Sequence, residues 1–359
     1  MFQYIVRRLL MAIPVVLGIF FVTFGLARWI PGDPCRAMLG EKATVEVCER
    51  FLEEQGLNDP IPIQLINYIN DILHGDFGES IRYSRSVADI LIDRLPVTIE
   101  LGAFGLGLAV LIGIPVGVLA ALKRNSTFDV FIMVLANIGV SMPIYWLGLM
   151  LAFFFAYVMR GTPLWIPPSG RITPGMSPDP FFEVFGWQLT EGTLLASAAE
   201  FVSNLYVFNT IVTGNWAALK DFLHHMILPS ICLATGSLLT LARFTRSSML
   251  EVINQDYIKA ARAKGLTRRA VVWKHAFRNA LLPVVTVVGM QLSLLFGGAV
   301  LTETVFGLAG VGGMMFEAIT ARDFIVIQGF TVFVAISFVL LNLMVDLTYG
   351  LIDPRIKVE

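Results

Sequence analysis

The chain has 359 residues, of which 56% are hydrophobic and 15% charged, with a mean hydropathy of +0.74 and a net charge of −1. Soluble domains carry about a quarter charged residues, so this composition excludes an ordinary soluble protein, and the near-neutral balance gives no basis for binding nucleic acid. Three cysteines exclude both a multi-bridge disulfide scaffold and a four-cysteine metal site.

A helix crossing about 30 Å of hydrocarbon needs about 20 apolar residues. The first such run, 9–30, follows Arg7 and Arg8. It exceeds the roughly 7–15 residues of a signal-peptide core and lacks a small-residue cleavage site after it, so it reads as a retained anchor with its N-terminus inside. The segment 31–97 is acidic and carries turn sequences at 31–34 (PGDP) and 75–78 (GDFG), with a short acidic helix expected over 45–57. It also holds Cys35 and Cys48. A bridge between them would stabilise by about 3 kcal/mol in the chain-entropy model; two free thiols are the other reading. Runs at 98–122 and 128–158 follow. The second is overlong for one crossing and has Met142-Pro143 as a place to kink.

The segment 159–225 starts rich in Pro, Gly and Trp. Its stretch 193–212 is apolar but contains Glu200, Ser203, Asn204 and Asn209, and reads as an interfacial or packed helix. Runs at 226–243, 283–303 and 326–350 complete the set, with Cys232 as a small core residue. The segment 304–325 contains GLAGVGG and reads as a flexible connection. Six spans place Arg7/Arg8, Lys123/Arg124, the segment 244–282 and Arg355/Lys357 on one side. Counting 193–212 as a seventh breaks that agreement, so the excess of Lys and Arg on cytoplasmic loops selects six, with both termini inside. The fold class expected is an all-α polytopic membrane protein. It divides into 1–97, a helix plus an extracytoplasmic loop, and 98–359, a five-helix core carrying the extracytoplasmic insert 159–225 and the cytoplasmic loop 244–282.

That cytoplasmic loop is the strongest motif. From Arg243 to Pro283 it carries nine Lys or Arg against Glu251 and Asp256. Leu250, Ile253, Tyr257 and Ala261 are spaced for one helical stripe. Gly265 suits a helix stop, Thr267 a cap for the next helix, and Pro283 the first turn of the following span. Two readings remain open on physics alone: a basic hairpin on anionic lipid headgroups, or a docking helix whose small patch, Ala260-Ala261 with Gly265, admits a groove in a cytoplasmic partner.

These residues resemble the coupling loop of permease subunits of binding-protein-dependent ABC importers, in which Glu-Ala-Ala is followed by three residues and then Gly. Lys259-Ala260-Ala261 and Gly265 keep the spacing with Lys in place of Glu, and Leu282-Pro283 sits five residues later than the general pattern. Both departures resemble the dipeptide/oligopeptide/nickel subgroup, as do IPGDP at 30–34, GDFGES at 75–80, RLPVTIEL at 94–101, PPSGR at 167–171, LTETVFGLAGVG at 301–312 and DPRI at 353–356. The stretch 176–222 matches less well and reads as an insertion.

The resemblance implies a type I ABC importer permease in a bacterial or archaeal plasma membrane, working with a second permease, two ATPase subunits and an extracytoplasmic solute-binding protein, for peptides or, alternatively, nickel or another small solute. Asp256, Tyr257, Lys259, Ala260, Ala261, Arg262, Gly265 and Leu266 would meet the ATPase. The chain contains no GxxxxGK[ST] phosphate loop, so ATP and Mg²⁺ are expected on the partner, with no cofactor, metal or catalytic group on this chain. Asn137, Met142, Gln291 and Glu303 are the candidate path residues, as polar or kinking positions within spans. An ATP-independent secondary transporter would instead show internal repeats and midplane charges, and an intramembrane enzyme paired catalytic groups.

Overall fold

The computed structural model describes residues 2–29, 43–54, 56, 58–80, 82–190 and 192–352. The blocks 30–34 and 353–356, together with Cys35, Arg355 and Lys357, lie outside them.

In chain order the elements are α1 (Phe2–Trp29), α2 (Val45–Glu54), α3 (Ile61–Leu73) and a two-stranded hairpin of β1 (Glu79–Ser80) and β2 (Arg85–Ser86), with Glu79 opposite Ser86. There follow α4 (Val87–Leu122), α5 (Thr127–Ser141) and α6 (Ile144–Phe153), the last continued by a π turn over Phe154–Val158. The insert supplies α7 (Phe181–Val184), α8 (Leu194–Ser203) and α9 (Tyr206–Thr213). The remainder is α10 (Trp216–Ile253), α11 (Asp256–Ala263), α12 (Arg268–Ala270), a π stretch over Val271–Phe277, α13 (Arg278–Phe306), α14 (Val311–Ala321) and α15 (Phe324–Ile352). Local chemistry sets many of the starts. Ser86, Ser126, Thr193 and Asn215 each accept a hydrogen bond from a first-turn amide of the helix they precede.

The six apolar runs fall on α1, α4, the α5–α6 pair, α10, α13 and α15, and the expected acidic helix is α2. Among the described residues three helices are alone long and apolar enough to cross a membrane, rising to six if each bent pair counts as one. The kink expected at Met142-Pro143 in the run 128–158 is present, with α5 and α6 meeting at 101° across it. Three expectations need correction. The stretch 193–212 is two short helices at 89°. The segment 304–325 is not simply flexible: Val311–Ala321 is a helix, bent 81° from the end of α13, that buries Val311, Gly312, Met314 and Ala318. Pro283 lies inside α13 rather than opening it, since the helical path already runs back through the π stretch.

The helices α4 and α10 pack most extensively against each other. A Cβ on Gly117 would lie 2.5 Å from the Ala242 carbonyl oxygen and 2.7 Å from Thr245 Cβ, so only glycine permits this crossing distance. Overpacking a core costs about 1–3 kcal/mol. Gly117→Leu is therefore expected to destabilise the protein by at least that range, measured as a lower thermal unfolding midpoint than an Ile112→Leu control on the exposed face of the same helix.

Candidate functional site

The helix α11 is short and amphipathic in an instructive way. The chain breaks at Asn254-Gln255, so the stripe expected through Tyr257 restarts one residue later. Ile258 is 0% exposed and Ala261 7%, whereas Tyr257 is 45% exposed. Ile258 and Ala261 belong to one apolar cluster with Val118 and Ala121 of α4, Met249 of α10, Val271, Val272 and Ala276 of the π stretch and Ala280 of α13. Three long helices are thereby fastened to one short one. Asp256, Lys259, Ala260, Arg262, Gly265 and Leu266 face outward on the other side.

The turn after α11 follows the sequence expectation. Gly265 sits at φ +77°, a conformation costly for residues with a Cβ, and its amide donates to the Arg262 carbonyl. Thr267 Oγ1 accepts from the Ala270 amide at 3.4 Å. Tyr257 is held at its tip, its hydroxyl accepting from Asn279 Nδ2 at 3.0 Å. Lys259 Nζ lies 2.8 Å from Asp256 Oδ1, but both side chains are largely exposed, and such pairs contribute little. The surface is thus shaped by backbone and small residues and rimmed by cations.

A second feature lies at the break between α5 and α6. A cavity of about 280 Å³ is lined there by Met142, Cys232, Thr235, Ser237, Thr240 and Gln291, among others. Ser237 Oγ donates to Gln291 Oε1 at 2.9 Å, which fixes the amide. Non-helical backbone at membrane depth persists only where it is buried in protein or lines a water-filled cavity. Of the four path candidates, Met142 and Gln291 share this cavity. Asn137 is exposed one turn away, and Glu303 is 0% exposed and off it. A larger groove of about 800 Å³ between α4 and α10 is almost wholly apolar, with Lys220, Asp221 and His224 at one end.

Three buried polar ties escaped sequence reasoning. Arg171 Nη2 lies 2.6 Å from Glu100 Oε2, and its guanidinium stacks 3.6 Å from the Tyr206 ring centre. Asp129 takes a bidentate bond from Arg246. Glu303 accepts from Thr98 Oγ1 at 2.6 Å and from the Gly313 amide at 2.8 Å. A lone charge inside an apolar run was the only signal for Glu100 and Glu303. Cys48 is disulfide-bonded and Cys232 is free and buried; Cys35, the expected partner of Cys48, lies outside the described residues.

Residues 113–358 match the family described as binding-protein-dependent transport system inner membrane component, and residues 1–102 match the N-terminal family of the same transport-system membrane components. The chain is 43% identical over 357 residues to a dipeptide transport system permease protein of Alkalihalophilus pseudofirmus, covering 99% of this chain and 100% of that one. It is 41% identical over 358 residues to the dipeptide transport system permease protein of Escherichia coli K12, and 38% identical over 358 residues to a di/tripeptide transport system permease protein of Pseudomonas aeruginosa, with 99% of both chains covered in each case.

Proposed function

Because the chain belongs to the family of inner-membrane components of binding-protein-dependent transport systems, we propose that it is the permease subunit of an ATP-driven importer for peptides. The full-length likeness to permeases of dipeptide and di/tripeptide systems supports peptides over nickel chelates. The chain is a multi-pass protein of the inner membrane; it crosses six times with both termini inside, and its acidic segment 31–97 and the insert 159–225 face outward toward a solute-binding protein. Its working partners are a second permease, which completes the path, and two ATPase subunits that carry ATP and Mg²⁺.

One observation carries the mechanism: the inner face of α11 is locked into α4, α10 and α13 while its outer face is free. When a groove in the ATPase grips Lys259, Ala260, Arg262, Gly265 and Leu266, movement of that subunit displaces the whole cluster. ATP drives the change only to the extent that the grip differs between the two states. The cavity at Met142 and Gln291 offers hydroxyl and amide groups to a solute rich in peptide bonds. It binds weakly, because a permease must also release.

Arg262→Glu reverses an exposed charge, so folding is expected to be unaffected while uptake falls by about tenfold or more, within the range of ordinary inter-site coupling. Uptake of tritiated dialanine by proteoliposomes holding the complete importer measures it. Parental uptake in this variant, at equal complex content, removes the docking role of α11.

A further inference from the structure

We propose that the Asp129–Arg246 ion pair is the rigid link through which displacement of α11 reaches the broken helix pair and its cavity. This rests on the reading of α11 as the docking element and goes beyond it by naming the residues that pass the motion on. Arg246 lies on α10, two turns before the break that starts α11. Asp129 lies in the first turn of α5, whose far end is the Met142-Pro143 break.

The geometry suits a link rather than a decoration. Arg246 Nη2 lies 2.7 Å from Asp129 Oδ2, and Nε bonds the other carboxylate oxygen. A two-pronged guanidinium–carboxylate pair fixes orientation as well as distance. The Asp129 side chain is 3% exposed and that of Arg246 23%, so the pair is not a fluctuating surface contact. Asp129 Oδ2 also accepts from the Asn125 amide at 2.9 Å. Asn125 itself takes φ +62°, which ties the turn between α4 and α5 into the same point.

The rest of α5 is held by apolar packing. Its only buried residues are Asp129 and Ala136, and at the far end Gly139 lies close against α10, where a Cβ would clash with Leu239 Cδ1. Apolar contacts permit sliding, whereas this forked pair resists separation because Asp129 left alone would be a buried charge. So α5 is hinged firmly at Asp129, while its cavity end rests on α10 at Gly139 and Leu239 without a polar tie among the bonds named above. Movement of α10 with α11 pulls the hinge and changes the angle at Met142-Pro143.

Asp129→Asn and Arg246→Lys test this in the complete importer reconstituted in liposomes, with Arg262→Glu alongside. Spin labels on cysteines placed at Ile138 and Leu111, both exposed, report the position of the cavity end of α5 against α4. The parent is expected to show an ATP-dependent change in this distance. In Asp129→Asn the change should be lost and dialanine uptake per assembled complex reduced by about tenfold while ATP hydrolysis persists. Arg246→Lys, which keeps the charge but not the fork, should fall between. A parental distance change and parental uptake per complex in both variants overturn the link, as does a loss confined to the amount of complex assembled. If Arg262→Glu abolishes uptake in that case, only the link fails; if Arg262→Glu is also silent, the docking reading fails with it.

Discussion

Arg171→Ala is expected to destabilise the protein by about 3–5 kcal/mol, the usual consequence of removing one partner of a buried ion pair. The Arg171 side chain is 13% exposed and that of Glu100 6%. Arg171 stacks on Tyr206 and also donates to the Asn204 carbonyl at the elbow between α8 and α9. Glu100 accepts in addition from the Val207 amide at 2.8 Å. One guanidinium therefore fastens the loop 167–171, the elbow of the insert and the span α4 together. Without it Glu100 keeps a single amide partner and a charge in a dry site. The size of the effect comes from that stranded carboxylate, which gives a specific check. The double variant Glu100→Gln/Arg171→Ala should unfold at a higher temperature than Arg171→Ala, because the uncompensated charge is gone; residues in one network do not add. Thermal unfolding of the detergent-solubilised complex measures both. A double variant less stable than Arg171→Ala would show that the pair stabilises through something other than charge compensation.

The sequence shows helices well and their bends poorly, for physical reasons. Continuous apolar runs mark α4, α10 and α15 because a bilayer tolerates little else over that length. Gly265 and Thr267 were legible because their roles are local: one supplies a left-handed turn, the other a side-chain acceptor one turn ahead. Pro143 announced a break but not its 101°, since a proline marks where a helix stops and not the direction in which the next one runs. The stripe on α11 slipped by one residue, from Tyr257 to Ile258, because a two-residue interruption resets the helical phase. The insert's attachment was invisible. Arg171 stands 71 residues from Glu100 and Arg246 stands 117 from Asp129, and no periodicity links positions so far apart. Of the site itself, the outward residues of α11 were legible as a patch, while the cluster that anchors them was not.

The GLAGVGG stretch misled most, and its actual use sets the other large prediction. Its glycines make room for a carboxylate rather than for motion: a Cβ on Gly310 would lie 2.5 Å from the Glu303 carboxylate oxygens, and one on Gly312 would lie 2.5 Å from Val300 Cα. Glu303 thus sits inside the turn it closes. It accepts from Thr98 Oγ1 and the Gly313 amide, and Thr98 Oγ1 in turn accepts from the Val311 amide at 2.9 Å. That chain joins the last turn of α13, the first turn of α14 and the middle of α4 where Thr98 is only 5% exposed. Glu303→Ala leaves a buried hydroxyl and a half-buried amide short of a partner, at about 1–3 kcal/mol each, and opens a void beside them. A loss of about 2–6 kcal/mol is expected on those two groups alone. Glu303→Gln keeps the shape and one acceptor and should lose less. Thr98→Val should cost less in the Glu303→Ala background than alone, because the carboxylate it served is already absent and only the Val311 amide loses its acceptor. Unfolding midpoints of the parent, Glu303→Ala, Thr98→Val and the double variant decide between this closed loop of bonds and independent contacts: fully additive losses in the double variant would mean that Glu303 and Thr98 act separately.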